Sequence, residues 1–140
     1  METTTEHALR DAGLRATAGR VAVLDALVSM PHSDAEHVFR VVASALPTTS
    51  IQSVHNILAD LTAAGLTRRI EPAGSAALYE RRVNDNHHHV VCSECGAISD
   101  VDCVVGHAPC LSPSETGGYT VQTAEVTFWG TCPDCAASAA

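Results

Sequence analysis

Two Cys-x-x-Cys pairs, Cys92-Ser93-Glu94-Cys95-Gly96 and Cys132-Pro133-Asp134-Cys135, constrain the fold of this 140-residue chain more than any other feature. Two residues between thiolates let one turn aim both sulfurs at a single cation, and two such turns complete a tetrahedral four-cysteine zinc site. The 36 residues from Gly96 to Thr131 are too many for a compact finger, so the pairs would tie the end of a domain to its beginning. With Cys92, Cys95, Cys132 and Cys135 all serving as ligands, nothing is left open for a substrate water, which makes the expected zinc structural. Zinc binding coupled to folding supplies about 10–16 kcal/mol of apparent energy. That matters in a chain with one Trp, two Tyr and two Phe. Thiol–disulfide exchange is the competing use of such a motif, but it needs only one pair.

The remaining chemistry is just as unevenly divided. The net charge of -8 comes from eight Arg, no Lys and sixteen acids. Arg10, Arg15, Arg20, Arg40, Arg68, Arg69, Arg81 and Arg82 all precede residue 83, accompanied by nine acids, whereas residues 83–140 hold seven acids and no Arg or Lys. His87, His88, His89 and His107 also fall in the second part, as do Cys103 and Cys110. A nearly neutral half able to approach an anion and an acidic half suited to cations predict two modules with different partners. No apolar run approaches the roughly 20 residues of a membrane span. The start Met1-Glu2-Thr3-Thr4-Thr5-Glu6 lacks a basic or apolar signal region, so the expectation is a soluble, cytoplasmic protein without a membrane partner.

Helical spacing of Val21, Leu24, Leu27 and Val28 after the capping residue Thr17 predicts a first helix. Ser33-Asp34-Ala35-Glu36 has the pattern of a capping box and starts a second, running through Val38, Phe39, Val42 and Ala45 and stopping before Pro47. His32 lies just outside it. Ser50 caps a third helix with Ile51, Val54, Ile57, Leu58 and Leu61 on one face, Gln52, Ser53, His55, Asn56 and Asp60 elsewhere, and Gly65 as its stop. Residues 66–70 and 76–79 read as strands around the turn Glu71-Pro72-Ala73-Gly74. Helices followed by a hairpin are what a winged helix needs. Residues 50–64 would then be the recognition helix in the major groove, with Arg15, Arg20, Arg68 and Arg69 on phosphates. The same pattern also suits a small helical domain with solvated Arg residues. Farther on, residues 87–92, 97–101 and 119–128 read as strands, 103–118 gives no helix, and the Ala-rich tail 136–140 reads as frayed.

Glu80, the run His87-His88-His89 and Asp100 form a second constellation. On a strand, His87 and His89 share one face and His88 takes the other. Two imidazoles with carboxylates from neighbouring segments make a nitrogen/oxygen site suited to Fe, Mn, Ni or Zn. Solvated surface histidines are the plainer explanation, and His32 taken alone is more often a helix-entry residue than a ligand. Cys103 and Cys110, seven apart and outside the zinc pairs, either pack as small hydrophobes or oxidise to a disulfide.

Laid in order, these pieces resemble the ferric uptake regulator superfamily over almost the whole chain. The matching stretches are Gly13-Leu14-Arg15-Ala16-Thr17 with Arg20, His32-Ser33-Asp34-Ala35-Glu36, Ser50-Ile51-Gln52-Ser53-Val54-His55-Asn56-Ile57-Leu58, Ala64-Gly65-Leu66, Tyr79-Glu80, residues 87–96, Asp100 and Gly130-Thr131-Cys132-Pro133-Asp134-Cys135. Residues 100–111 further resemble an actinobacterial subgroup associated with catalase-peroxidase genes.

The resemblance implies an α+β protein: an N-terminal winged-helix DNA-binding domain (1–80), a hinge (81–86) and a small C-terminal α/β metal-binding dimerisation domain (87–140). It implies a homodimeric repressor that binds palindromic double-stranded operator DNA when a regulatory divalent metal, Fe(II) or Mn(II), is present, and is released on oxidation or metal loss. By position, the regulatory ligands would be His32, Glu80, His87, His89 and Asp100. The DNA-facing residues would be Arg15, Arg20, Gln52, Ser53, His55 and Asn56. His55 stands where the family usually has Tyr, and Ala18 where it has Pro. Asn56 resembles the peroxide-sensing branch, while Glu80 stands where typical peroxide sensors carry Asp. In that branch peroxide acts through bound Fe(II) on a ligand histidine, here His32 or His87; a Cys103–Cys110 disulfide is the other route. The alternative is an iron-uptake or other metal-homeostasis repressor (Fe, Zn, Ni or Mn) without peroxide sensing.

Two other classes fit less well. A zinc nucleoside deaminase needs His-x-Glu, where the comparable place reads His107-Ala108-Pro109, and its Pro-Cys-x-x-Cys is here Cys132-Pro133-Asp134-Cys135. The general acid/base is missing, so no enzyme is expected. A metal store would leave the capped polar helix and the N-terminal Arg residues without a use.

Overall fold

Four helices and a hairpin build the first unit of the computed structural model: α1 (Thr4–Asp11), α2 (Ala18–Ser29), α3 (Ala35–Ala45), α4 (Ile51–Ala63), β1 (Arg68–Ile70) and β2 (Leu78–Glu80). The structure describes residues 2–81, 87–103, 111–122 and 124–139. The chain divides into two compact units, Met1–Val83 and Asn84–Ala140. Residues 82–86 of the expected hinge, and Cys110, lie outside the described residues.

Each helix begins on a residue able to satisfy the open backbone N–H groups of its first turn. Thr17 accepts the Arg20 N–H at 3.3 Å and Ser50 the Ser53 N–H at 3.1 Å. For α3 the cap is Asp34, not Ser33: the carboxylate accepts the His37 N–H at 2.8 Å, while Ser33 Oγ turns back to donate to the Met30 carbonyl at 2.7 Å. An ionised cap gains from the positive end of the helix dipole, so the helix starts one residue later than the box pattern indicated. The first helix, α1, was not anticipated. Its signal is a full capping box in which Thr3 Oγ1 accepts the Glu6 N–H at 3.1 Å and the Thr3 N–H donates to Glu6 Oε2 at 2.6 Å.

The helices meet over an aliphatic core of Leu9, Val23, Leu24, Leu27, Val38, Val42, Val54, Leu58 and Leu61, with Tyr79 of β2 closing one side. Strands β1 and β2 pair antiparallel, with Arg69 opposite Tyr79. They are shorter than the sequence pattern suggests and β2 is shifted to end on Glu80. Ser33 adds a backbone bridge to Tyr79, donating N–H to its carbonyl at 3.2 Å and accepting its N–H at 2.8 Å. The unit is a winged helix preceded by α1.

The second unit contains β3 (His87–Cys92), β4 (Ile98–Asp102), β5 (Thr127–Gly130) and α5 (Pro133–Ala139). Its sheet runs β4-β3-β5, with β4 antiparallel and β5 parallel to the central β3. The strand expected over 119–128 is confined to its last part. Tyr119 and Val121 are 80% and 38% exposed, and a run without a partner strand makes no ladder, so pairing starts only where Thr127 meets His89. The tail expected to fray is helix α5 through Ala139. Pro133 occupies the first helical position, which needs no N–H, the Cys132 carbonyl accepts the Ala136 N–H at 2.9 Å, and Ala has the highest helix propensity. Among the described residues, 111–118 hold no helix, and no helix is long and apolar enough to cross a membrane.

Candidate functional site

The two cysteine pairs are brought together by the parallel pairing of β3 and β5. Cys92 ends β3, and the chain reverses at once: the Gly96 N–H donates to the Cys92 carbonyl at 2.9 Å and the Cys92 N–H to the Ala97 carbonyl at 2.8 Å. Gly96 makes this turn at φ +79°, which a side chain would strain. The second pair arrives on β5, where Gly130 stands opposite Cys92 and accepts the Ser93 N–H at 2.8 Å.

The four sulfurs lie within 4.8 Å of one another, with Cys95 Sγ and Cys132 Sγ 3.7 Å apart. A tetrahedron with metal–sulfur distances near 2.3 Å has edges of about 3.8 Å, whereas a disulfide is about 2.05 Å long. The spacing therefore fits a four-thiolate zinc ion and not a bonded pair. Zinc held there would cross-link the two ends of the unit.

Protonation in the cluster is split. The Cys132 N–H, 3.3 Å from Cys92 Sγ, and then the N–H groups of Cys95 and Glu94 lower the Cys92 thiol to about 6. Although the Ala97 N–H pulls the other way, the Cys92 thiol leaves Cys95 raised. Cys135 is pushed up to about 12, first by the Cys132 thiol and then by Cys95. The backbone thus favours one thiolate, and the crowded thiols resist further ionisation until a dication offsets the charge. Because Cys92 is already ionised above pH 6, zinc uptake at pH 7.5 should release fewer than four protons, and the count should rise as pH falls through 6. Calorimetric titration in two buffers of different ionisation heat measures this; four protons at pH 7.5 would contradict it.

Each unit carries nitrogen and oxygen donors of its own. In the first, the Ser33–Tyr79 bridge sets His32 Nε2 3.0 Å from Glu80 Oε2, with the side chains 7% and 1% exposed. His32 lies at φ +63°, a left-handed conformation that costs a non-glycine residue about 1–3 kcal/mol and is retained mainly at functional positions. In the second, His87 and His89 share one face of β3 with ring centroids 5.0 Å apart. Asp100 stands opposite His89 on β4, its Oδ1 3.4 Å from His89 Nε2 and 3.7 Å from His87 Nε2. His88, opposite Val101, takes the other face; all three histidines are buried. One imidazole with a carboxylate, and two imidazoles with a carboxylate, are donors suited to a divalent ion such as Fe(II), Mn(II) or Zn(II), and each set leaves coordination positions open.

On α4, Gln52, His55 and Asn56 are exposed, and Gln52 Nε2 donates to Asn56 Oδ1 at 3.0 Å. Ser53 is half-buried and Arg15 exposed. Arg20 is engaged within the protein, bonding Asp60 and the Arg15 carbonyl, and Arg69 pairs with Glu71 at 2.6 Å. Cys103 is half-buried just beyond β4.

A family model described as "Ferric uptake regulator family" matches residues 11–128. "Transcriptional regulator FurA" of Mycobacterium tuberculosis is 56% identical over 130 residues, covering 93% of this chain and 88% of that relative. Among solved structures, the Helicobacter pylori ferric uptake regulator superposes with a TM-score of 0.68 at 20% identity, over 94% of this chain and 88% of that one. The Campylobacter jejuni peroxide stress regulator does so at 0.57 and 28% identity, over 73% of each chain.

Proposed function

This chain belongs to the ferric uptake regulator family, as a transcriptional regulator and not an enzyme, and on that premise we propose that it is a homodimeric, metal-dependent repressor of palindromic operator DNA. In this reading residues 1–80 bind DNA, 81–86 form the hinge and 87–140 sense metal and dimerise, in the cytoplasm. Zinc belongs to Cys92, Cys95, Cys132 and Cys135. The regulatory ion, Fe(II) or Mn(II), belongs to His32, Glu80, His87, His89 and Asp100.

The observation that carries this reading is that each unit holds a nitrogen/oxygen donor set with coordination positions left open, beside a four-thiol cluster. An ion drawing on both sets would restrain the hinge. In a two-fold dimer that restraint governs whether two recognition helices meet successive major-groove turns about 34 Å apart. Metal affinity then becomes DNA affinity by linkage. Dimerisation through the second unit is supported by β5, one of the two edge strands of its sheet, where Phe128 and Trp129 are each 49% exposed. Gln52, Ser53, His55, Asn56 and Arg15 are the residues assigned to DNA, with the exposed amides of Gln52 and Asn56 suited to base edges, while Arg20 is engaged within the unit.

Mobility-shift titration of a duplex selected from a randomised pool tests the proposal. Mn(II) should raise affinity about 5- to 150-fold; equal affinity with and without the ion would overturn it. We assign the oxidative signal to the same site: peroxide would oxidise His32 or His87, remove an imidazole donor and release catalase or peroxidase genes. Asn56 and the likeness to the Campylobacter regulator favour this. Glu80, in place of the Asp typical of peroxide sensors, favours metal homeostasis without peroxide sensing. Mass spectrometry after peroxide treatment of Fe(II)-loaded protein decides: oxygen added at His32 or His87 supports the first, a Cys103–Cys110 bond moves the sensor to the thiols, and neither change supports the second.

A further inference from the structure

Arg20 is held inside the first unit more firmly than a residue waiting for a phosphate. From the first turn of α2 its Nη2 reaches Asp60 Oδ2 on α4 at 3.3 Å and its Nη1 donates to the Arg15 carbonyl at 3.1 Å, leaving the side chain 21% exposed. Its neighbour Gly19 faces the same helix. A Cβ placed there would stand 3.1 Å from Ile57 Cδ1, tighter than nine in ten real contacts of that kind. Glycine inside a helix is unfavourable relative to alanine, so this one is explained by the close approach. Ile57 and Asp60 are three residues apart and therefore neighbours on one face of α4. The exposed Gln52, His55 and Asn56 ride on that same helix.

We infer that Gly19 and Arg20 form a two-point bracket that fixes the pose of α4 on α2, and that Arg20 is a positioning residue for α4 and Arg15 instead of a phosphate contact. Gly19 sets how near the helices come, and the Arg20–Asp60 pair stops α4 from swinging away. Asp60 is 53% exposed, so the ion pair contributes little to overall stability. Its consequence lies in geometry, because base-edge hydrogen bonds tolerate only a few tenths of an ångström. The inference rests on α4 being the DNA-reading helix.

The test uses full-length, Mn(II)-loaded protein, a palindromic duplex selected by the wild type from a randomised pool, an unrelated duplex, and a series of salt concentrations. Arg20→Gln, Asp60→Asn and Gly19→Ala should each weaken the selected duplex about 5-fold or more, while affinity for the unrelated duplex and the salt slope stay as in the wild type. The Arg20→Gln/Asp60→Asn double variant should be no weaker than either single one. Gly19→Ala should lose selectivity while its circular dichroism and its affinity for the unrelated duplex stay as in the wild type, a combination that simple unfolding does not produce.

An Arg20→Gln variant that weakens both duplexes and lowers the salt slope by about one, beside an Asp60→Asn variant at wild-type affinity, would make Arg20 a phosphate contact and overturn the inference. So would a Gly19→Ala variant of unchanged selectivity. Wild-type protein that selects no duplex overturns the DNA-reading function and the inference together, whereas variants that all match a selecting wild type overturn the inference alone.

Discussion

Cys132→Ser protein should lose its tightly bound zinc and, with it, the folded second unit. Among the described residues of that unit, only Val91 and Cys92 are buried apolar residues, and the sheet has three short strands. Such a sheet cannot bury enough surface to stand unaided. A structural zinc site contributes about 10–16 kcal/mol of apparent binding energy, as much as the whole stability of an ordinary domain, about 5–15 kcal/mol. Elemental analysis should fall from one zinc per chain towards none, and limited proteolysis should cut freely beyond residue 87. The helical signal should largely remain, because the core of Leu9, Leu24, Leu27, Leu58 and Leu61 involves no thiol. Full zinc content with an unchanged melting curve would remove the four-thiol cluster from the folding of the unit.

The second large effect is expected from His89→Ala. His89 faces Asp100 across the β3–β4 ladder, and its loss leaves one imidazole and one carboxylate in the second unit's donor set. Loss of an outer partner of a metal ligand already costs about 10- to 100-fold in metal affinity, so removing a ligand should cost at least that much. At Mn(II) concentrations that saturate the wild type, the variant should bind the selected duplex no better than metal-free protein. Its zinc content should be unchanged, since the four sulfurs are a separate cluster. Zinc lost along with the Mn(II) response would mean that the two sites are one system.

The sequence was most legible where chemistry is local. Thr17 and Ser50 cap the helices expected of them, and the alternation of His87, His88 and His89 follows from the strand period alone. Competition between neighbouring caps was harder to read: Ser33 and Asp34 each suit the role, and the choice turned on Ser33 Oγ finding the Met30 carbonyl. Alternation over 119–128 resembled a strand because nothing local records whether a partner strand is within reach. Pairing partners are equally invisible for Ser33 and Tyr79, yet their bridge places His32 beside Glu80. Only family resemblance singles out His32, since its place beside Glu80 depends on a backbone conformation that no periodicity encodes. Arg20 was read as a phosphate contact from its charge, whereas its surroundings include Asp60, forty residues away.

The parallel pairing of β3 with β5 also dictates an order of assembly. Cys95 and Cys132 are 37 positions apart, and the strand that unites them is the last in the chain, so the thiol cluster closes only after two distant parts of the sequence have met. The contacts of the first unit are all available by residue 83. On the ribosome, the first unit can therefore form while the second is still a tethered, unfolded segment. On the proposed function, a nascent chain would pass through a stage in which its DNA-reading surface exists and its control by metal does not, ended only when residue 135 emerges and the four thiols can meet.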